Sequence, residues 1–132
     1  MLRLVDSSCW IELLRQNGRA DVKTRLGELL VAGEAAWCDM IRLELWNGAG
    51  GGDTAKLLSL QEFVVSLEID EDVWRVSHEL ARRARDKGWS FPAADILIVA
   101  CAARHRVSVE SRDEHFKPLL ELVSSCALPR FP

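Results

Sequence analysis

Leu2-Arg3-Leu4-Val5-Asp6-Ser7-Ser8-Cys9-Trp10-Ile11-Glu12-Leu13-Leu14-Arg15 opens the chain with a change of hydrophobic period. Its first four residues are mostly apolar and partly β-branched, which predicts a short buried strand. Asp6-Ser7-Ser8 interrupts that run, and Cys9 to Arg15 follows as a helix, with Ser7 or Ser8 expected as its N-cap. Asn17-Gly18 is the expected end of this helix. A strand running straight into a helix is half of a βαβ unit, and the rest of the chain repeats the alternation.

Asp21 to Leu30 places Val22, Leu26, Leu29 and Leu30 at helical spacing and closes at Gly33. Ala35-Ala36-Trp37-Cys38 reads as a second strand, with Asp39 capping a helix from Met40 to Trp46. Asn47 to Gly52 is a glycine-rich loop, Asp53 caps a helix through Leu60, and Phe63 to Leu67 is a third strand. Asp70 to Lys87 forms a long amphipathic helix with Val73, Val76, Leu80 and Ala84 inward, stopped at Gly88. Ser90-Phe91-Pro92 starts another helix that runs to Arg104, proline being tolerated in a first turn. Val107 to Glu110 is a fourth strand and Ser111-Arg112-Asp113 its turn. His115 to Leu122 is a last helix, and Ala127-Leu128 a short edge strand. The expected architecture is α/β, a three-layer sandwich with a central, mainly parallel sheet of four to five strands and helices on both faces. Residues 1–132 are expected to form a single domain.

The bulk properties narrow the function. Of 132 residues, 48% are hydrophobic and 28% charged, a globular rather than a disordered balance. No apolar run approaches the roughly 20 residues of a membrane span. The opening segment is too soon charged for a secretory signal, so a cytoplasmic protein without a membrane role is expected. Cys9, Cys38, Cys101 and Cys126 are scattered without close pairing, which favours buried free thiols over disulfides or structural zinc. Net charge is −3 and the pI near 5.6, so a polyanion could not be held by a basic surface alone. Bound divalent cations would offset the chain's own carboxylates.

In open parallel sheets, ligands bind beyond the carboxyl ends of the strands. Asp6 and Asp113 fall there, directly after the first and fourth strands. Glu44 interrupts the apolar run Ile41 to Trp46, and Asp95 sits in the first turn of an almost wholly apolar helix. Each acid has an ordinary reading. Asp6 could be a cap, Asp113 a turn residue, Asp95 a dipole partner, and Glu44 a solvated residue or a partner of Arg42 or Arg15. Together they bring charges from distant segments to one crevice. Carboxylates so gathered repel unless cations neutralise them, and hard oxygen ligands suit Mg²⁺ or Mn²⁺.

Leu4-Val5-Asp6-Ser7-Ser8, then Arg42-Leu43-Glu44-Leu45, Ala94-Asp95-Ile96-Leu97-Ile98-Val99-Ala100-Cys101-Ala102 and Ser111-Arg112-Asp113-Glu114-His115-Phe116, resemble the PIN-domain family in order and spacing. Within it the chain is most similar to the VapC toxins of toxin–antitoxin pairs. The resemblance implies a divalent-metal-dependent endoribonuclease, with Asp6, Glu44, Asp95 and Asp113 as catalytic and metal-binding residues. Ser8 and Ser111 match supporting positions. It also implies an RNA substrate, a small antitoxin laid over Trp10, Leu13, Leu14 and Trp46, and a homodimer. The Gly48 to Gly52 loop is richer in glycine than the family pattern.

Arg112, Arg82 and Arg83 are candidates for RNA contact, the last two in a basic cluster ending near Trp89 whose simpler reading is a solvated helix face. His78, His105 and His115 are assigned no catalysis, His115 being expected to support its turn. Receiver and haloacid-dehalogenase-like phosphotransfer domains lack their second acids here, and a nucleotide-binding domain lacks its glycine turn after a strand. The alternative from another class is a catalytically silent PIN-like module that only binds protein or RNA.

Overall fold

A computed structural model describes residues 1–112 and 114–126. The elements run β1 (Arg3–Val5), α1 (Ser7–Leu14), α2 (Ala20–Val31), β2 (Ala35–Cys38), α3 (Asp39–Asn47), α4 (Asp53–Leu60), β3 (Val65–Leu67), α5 (Glu71–Asp86), α6 (Ala93–His105), β4 (Ser108–Glu110), a 3₁₀ turn (Glu114–Phe116) and α7 (Lys117–Val123). The four strands form one sheet in the order β3-β2-β1-β4, and every pairing is parallel. The expected edge strand at Ala127-Leu128 lies outside the described residues.

Burial shows why these segments are strands. Successive strand residues point to opposite faces, yet all four residues of β2 and both Leu4 and Val5 of β1 are buried. Both faces of the sheet are therefore covered by helices, giving the α/β sandwich read from the sequence. Parallel strands buried on both sides require continuous apolar runs, which β1 and β2 supply. The edge strand β3 is more exposed, at Val65 and Ser66.

The chain steps outward from β1 through β2 to β3, then returns to lay β4 against the free side of β1. This reversal makes the carboxyl ends of β1 and β4 a topological switch point, where a crevice opens. Helix α6 is the other long-range element. Leu97 to Ala102 are all buried, and α6 packs against α3, α5 and α7. Its residue Arg104 pairs with Asp70, the N-cap of α5, at 2.8 Å, and the connection through Gly88 at φ 75° turns one helix back along the other.

Three caps differ from expectation. Asp6, not Ser7 or Ser8, caps α1, because the residue leaving β1 already has the extended conformation of a cap (φ −69°, ψ 154°). Asp39 is the first residue of α3 and pairs with Arg42 instead of capping. Asp53 likewise begins α4, and its carboxylate accepts from the Gly50 N–H, tightening the glycine-rich loop. All four cysteines are free and buried, as the sequence implies.

Candidate active site

Asp6 occupies the switch point. It is only 4% exposed, and a buried carboxylate must find donors. Ser8 supplies two, its N–H at 3.4 Å and its hydroxyl at 2.7 Å, and the Ser7 hydroxyl lies 3.5 Å from the other oxygen. Ser111, just past β4, donates a further hydroxyl at 3.3 Å. The hydroxyls of Ser8 and Ser111 thus both reach the same oxygen of the Asp6 carboxylate.

Glu44 is carried to the same place by α3, which packs on α1 and α6. Burial and the charges of Asp6 and Asp95 raise its carboxyl above the ordinary value, and the nearby Ser7 hydroxyl only partly offsets them. Its Oε1 is buried without a hydrogen-bond partner among the described residues. The two arginines offered as its partners pair elsewhere, Arg42 with Asp39 and Arg15 with Glu12.

Asp95, in the first turn of α6, has a side chain 17% exposed. Burial raises its carboxyl, the His115 charge pulls it down, and Asp6 pushes it up again, with a net rise. His115 Nε2 stands 3.8 Å from Asp95 Oδ2. Asp6, Glu44 and Asp95 therefore sense one another from β1, α3 and α6. Asp113 lies outside the described residues. Among those that are described, no three acid, histidine or cysteine side chains form a ready-made ion cage.

A divalent cation fits the donors present. They are carboxylate and hydroxyl oxygens, the set hard cations prefer. Two of the carboxyls are raised and one buried oxygen has no partner among the described residues, an arrangement that is costly as a purely structural motif and is relieved by positive charge.

The PIN domain family matches residues 3–119. The chain belongs to the PIN-domain family. This PIN domain is 30% identical over 127 residues to Ribonuclease VapC11 of Mycobacterium tuberculosis, a match covering 92% of the chain and 93% of that protein. It is 31% identical over 102 residues to Ribonuclease VapC19 of the same organism, covering 76% and 80%. Among solved structures, VapBC2 from Rickettsia felis bound to a DNA fragment from its promoter superposes with a TM-score of 0.77 at 15% identity, covering 89% of this chain and 92% of that one. FitAcB from Neisseria gonorrhoeae superposes at 0.72 and 20% identity, covering 97% of each. The two structures support the fold.

Other sequence expectations for the PIN domain fare unevenly. Arg112 donates to the buried Glu12 at 2.6 Å and keeps a side chain 35% exposed. Arg82 and Arg83 sit on α5 in helix-face pairs with Asp86 and Glu79, and Arg83 lines a cleft of about 530 Å³ with Trp89 and α7. Trp10 cannot be a docking surface. It is fully buried, its indole N–H donates to the Val5 carbonyl at 2.9 Å, and it stacks obliquely on Trp37. One apolar groove nearby runs between α1 and α4 and is lined by Leu13, Leu14, Ala55, Lys56, Ser59 and Leu60.

Sequence reasoning missed His115 as the neighbour of Asp95; the one signal was its place two residues after an expected site acid. It also missed Glu12 as the anchor of Arg112, a contact across 100 positions that no local pattern announces.

Proposed function

We propose that this PIN domain, spanning residues 1–132, is a divalent-metal-dependent endoribonuclease and the toxin of a VapBC-type pair. The observation that carries the reading is the convergence of Asp6, Glu44 and Asp95 with a buried Glu44 oxygen left unpaired among the described residues. Mg²⁺ or Mn²⁺ would be held by Asp6, Asp95 and Asp113, with Glu44 as a further ligand or as the base that orients water. Such an ion lowers the pKa of bound water and stabilises charge at a phosphate undergoing in-line displacement.

The protein's own groups have separate tasks. The hydroxyls of Ser8 and Ser111 fix the Asp6 carboxylate in one orientation before substrate arrives. Glu44, whose carboxyl burial and the Asp6 and Asp95 charges raise above the ordinary value, is a stronger base than a solvated glutamate and is suited to accept a proton from water. His115 keeps Asp95 more acidic than burial alone would leave it.

The VapC relatives support an antitoxin partner. In this reading its docking segment lies along the α1–α4 groove, the domain works as a homodimer, and the protein is cytoplasmic. Among the described residues, no helix is long and apolar enough to cross a membrane. The test is cleavage of RNA by purified protein with Mg²⁺ or Mn²⁺. Cleavage stopped by EDTA and lost in Asp6→Asn is expected. An active Asp6→Asn protein, or cleavage indifferent to EDTA, would refute the proposal.

A further inference from the structure

A second cleft, of about 220 Å³, opens between α1, α2 and the end of β4, and Ser111, the residue that bonds Asp6, is one of its walls. Three guanidinium groups reach it from separate parts of the chain. Arg19 comes from the α1–α2 turn, Arg25 from α2, and Arg112 from the segment after β4. Each is steadied by a carboxylate, and Arg25 by a second, Glu28, at 3.9 Å. Asp21 holds Arg19 at 2.8 Å, Glu110 holds Arg25 at 2.9 Å, and Glu12 holds Arg112 at 2.6 Å.

These pairs do not exhaust the donors. A guanidinium has five N–H groups; Arg25 gives Nε to Glu110, and Arg112 gives Nη1 to Glu12. The three side chains remain 51%, 45% and 35% exposed in the order Arg19, Arg25, Arg112. The acids beneath them are well compensated. Burial pushes Glu110 up, but hydrogen bonds from Arg25 and Arg3 hold it below the ordinary carboxylate value. Glu12 is held low first by the Arg19 backbone N–H and then, against its burial, by the Arg112, Arg15 and Arg19 charges. On the walls of the cleft itself Arg19, Arg25 and Arg112 face two carboxylates, Asp21 and Glu110, while Glu28 and Glu34 act on Arg25 from outside it.

We infer that this arginine cleft is a subsite for a backbone phosphate of the RNA strand, flanking the phosphate that is cut at the acids. The inference rests on the ribonuclease reading. Guanidinium forks suit phosphate oxygens, and side chains already oriented by a carboxylate lose less freedom on binding. The cleft also answers the charge problem posed by an acidic chain: attraction for the strand is concentrated beside the acids.

The test is fluorescence anisotropy of a labelled single-stranded RNA oligonucleotide with EDTA present, titrated with salt. The double substitution Arg19→Ala with Arg25→Ala is expected to make the slope of log Kobs against log salt shallower by about 0.7, the value for one phosphate contact on a single strand. Arg19→Lys with Arg25→Lys keeps the charges and is expected to keep the slope. Arg75→Ala, on α5, serves as the control for removing one exposed cation. Circular dichroism checks folding, and Arg25→Gln alone replaces the double variant if that does not fold. A slope unchanged beyond the Arg75→Ala control overturns the subsite, provided that wild-type protein cleaves RNA with Mn²⁺. Wild-type protein that does not cleave overturns the ribonuclease reading, and the subsite with it.

Discussion

His115 Nε2 stands 3.8 Å from Asp95 Oδ2, so the imidazole, when protonated, opposes the burial that raises the Asp95 carboxyl. Removing the ring removes that opposition. In His115→Ala, Asp95 becomes a carboxylate only at higher pH, and the acid limb of kcat/KM against pH is expected to move upward. A limb that stays in place, or moves down, would show that the ring does not govern Asp95.

Glu44 and Asp95 both have folded-state proton affinities raised, first by burial. A folded value above the unfolded one means the folded chain binds the proton more tightly. Metal-free stability contributed by these groups is therefore greatest below the ordinary carboxylate range and falls as pH rises through it to the raised values. At neutral pH in EDTA, Glu44→Gln should stabilise the protein by about 0.5–2 kcal/mol, the usual gain when an active-site conflict is removed. Thermal melts with EDTA and with Mn²⁺ check this. Mn²⁺ should stabilise the wild type more than the variant, and a variant less stable in EDTA would contradict the argument.

Asp6→Asn separates chemistry from folding. Asparagine is about as good an N-cap as aspartate, so α1 keeps its cap and the melting temperature should change little. Cleavage should nevertheless fall by about 100-fold or more, the scale of losing a group that manages transition-state charge. Asp6→Ala should in addition lose roughly 1 kcal/mol of stability with the cap. Paired melting and cleavage measurements distinguish the two effects.

Gly18 lies under the carbonyl of Glu12, where an added Cβ would come 1.8 Å from the oxygen and 2.7 Å from the carbon. The contact is backbone, which cannot swing aside. Gly18→Ala is expected to cost about 1–3 kcal/mol, the range for forced overpacking. The same turn presents the Arg19 N–H to Glu12 at 2.7 Å, so RNA affinity should fall along with the melting temperature. Unchanged stability would mean that the α1–α2 turn can relax freely.

The sequence made some of this legible and hid the rest for physical reasons. Apolar runs without alternation marked β1, β2 and α6, because elements buried on both faces leave no polar stripe. Asp95 stood out as the one charge leading such a helix, and Glu44 as an acid amid apolar neighbours. Caps were less readable: Asp6, Ser7 and Ser8 can all cap a helix, and only the backbone leaving β1 decides among them. Trp10 was misplaced because an aromatic at a helix start can face either way, and the Val5 carbonyl draws its indole inward. Of the arginine cleft the sequence singled out Arg112 alone. Arg19, Arg25 and Arg112 share no period, and only the return of β4 to β1 makes them neighbours.

That return also fixes when the enzyme can exist. β1 forms its pairs Arg3–Ser108, Leu4–Val109 and Val5–Glu110 with a strand made more than a hundred residues later. Contacts so distant along the chain close late in folding. On the ribosome, a nascent chain long enough to present Asp6, Glu44 and even Asp95 still lacks Ser111 and the Arg112 arm. Until β4 has been made, β1 lacks its second neighbour and Asp6 lacks the Ser111 hydroxyl, so the crevice at the switch point cannot yet assemble.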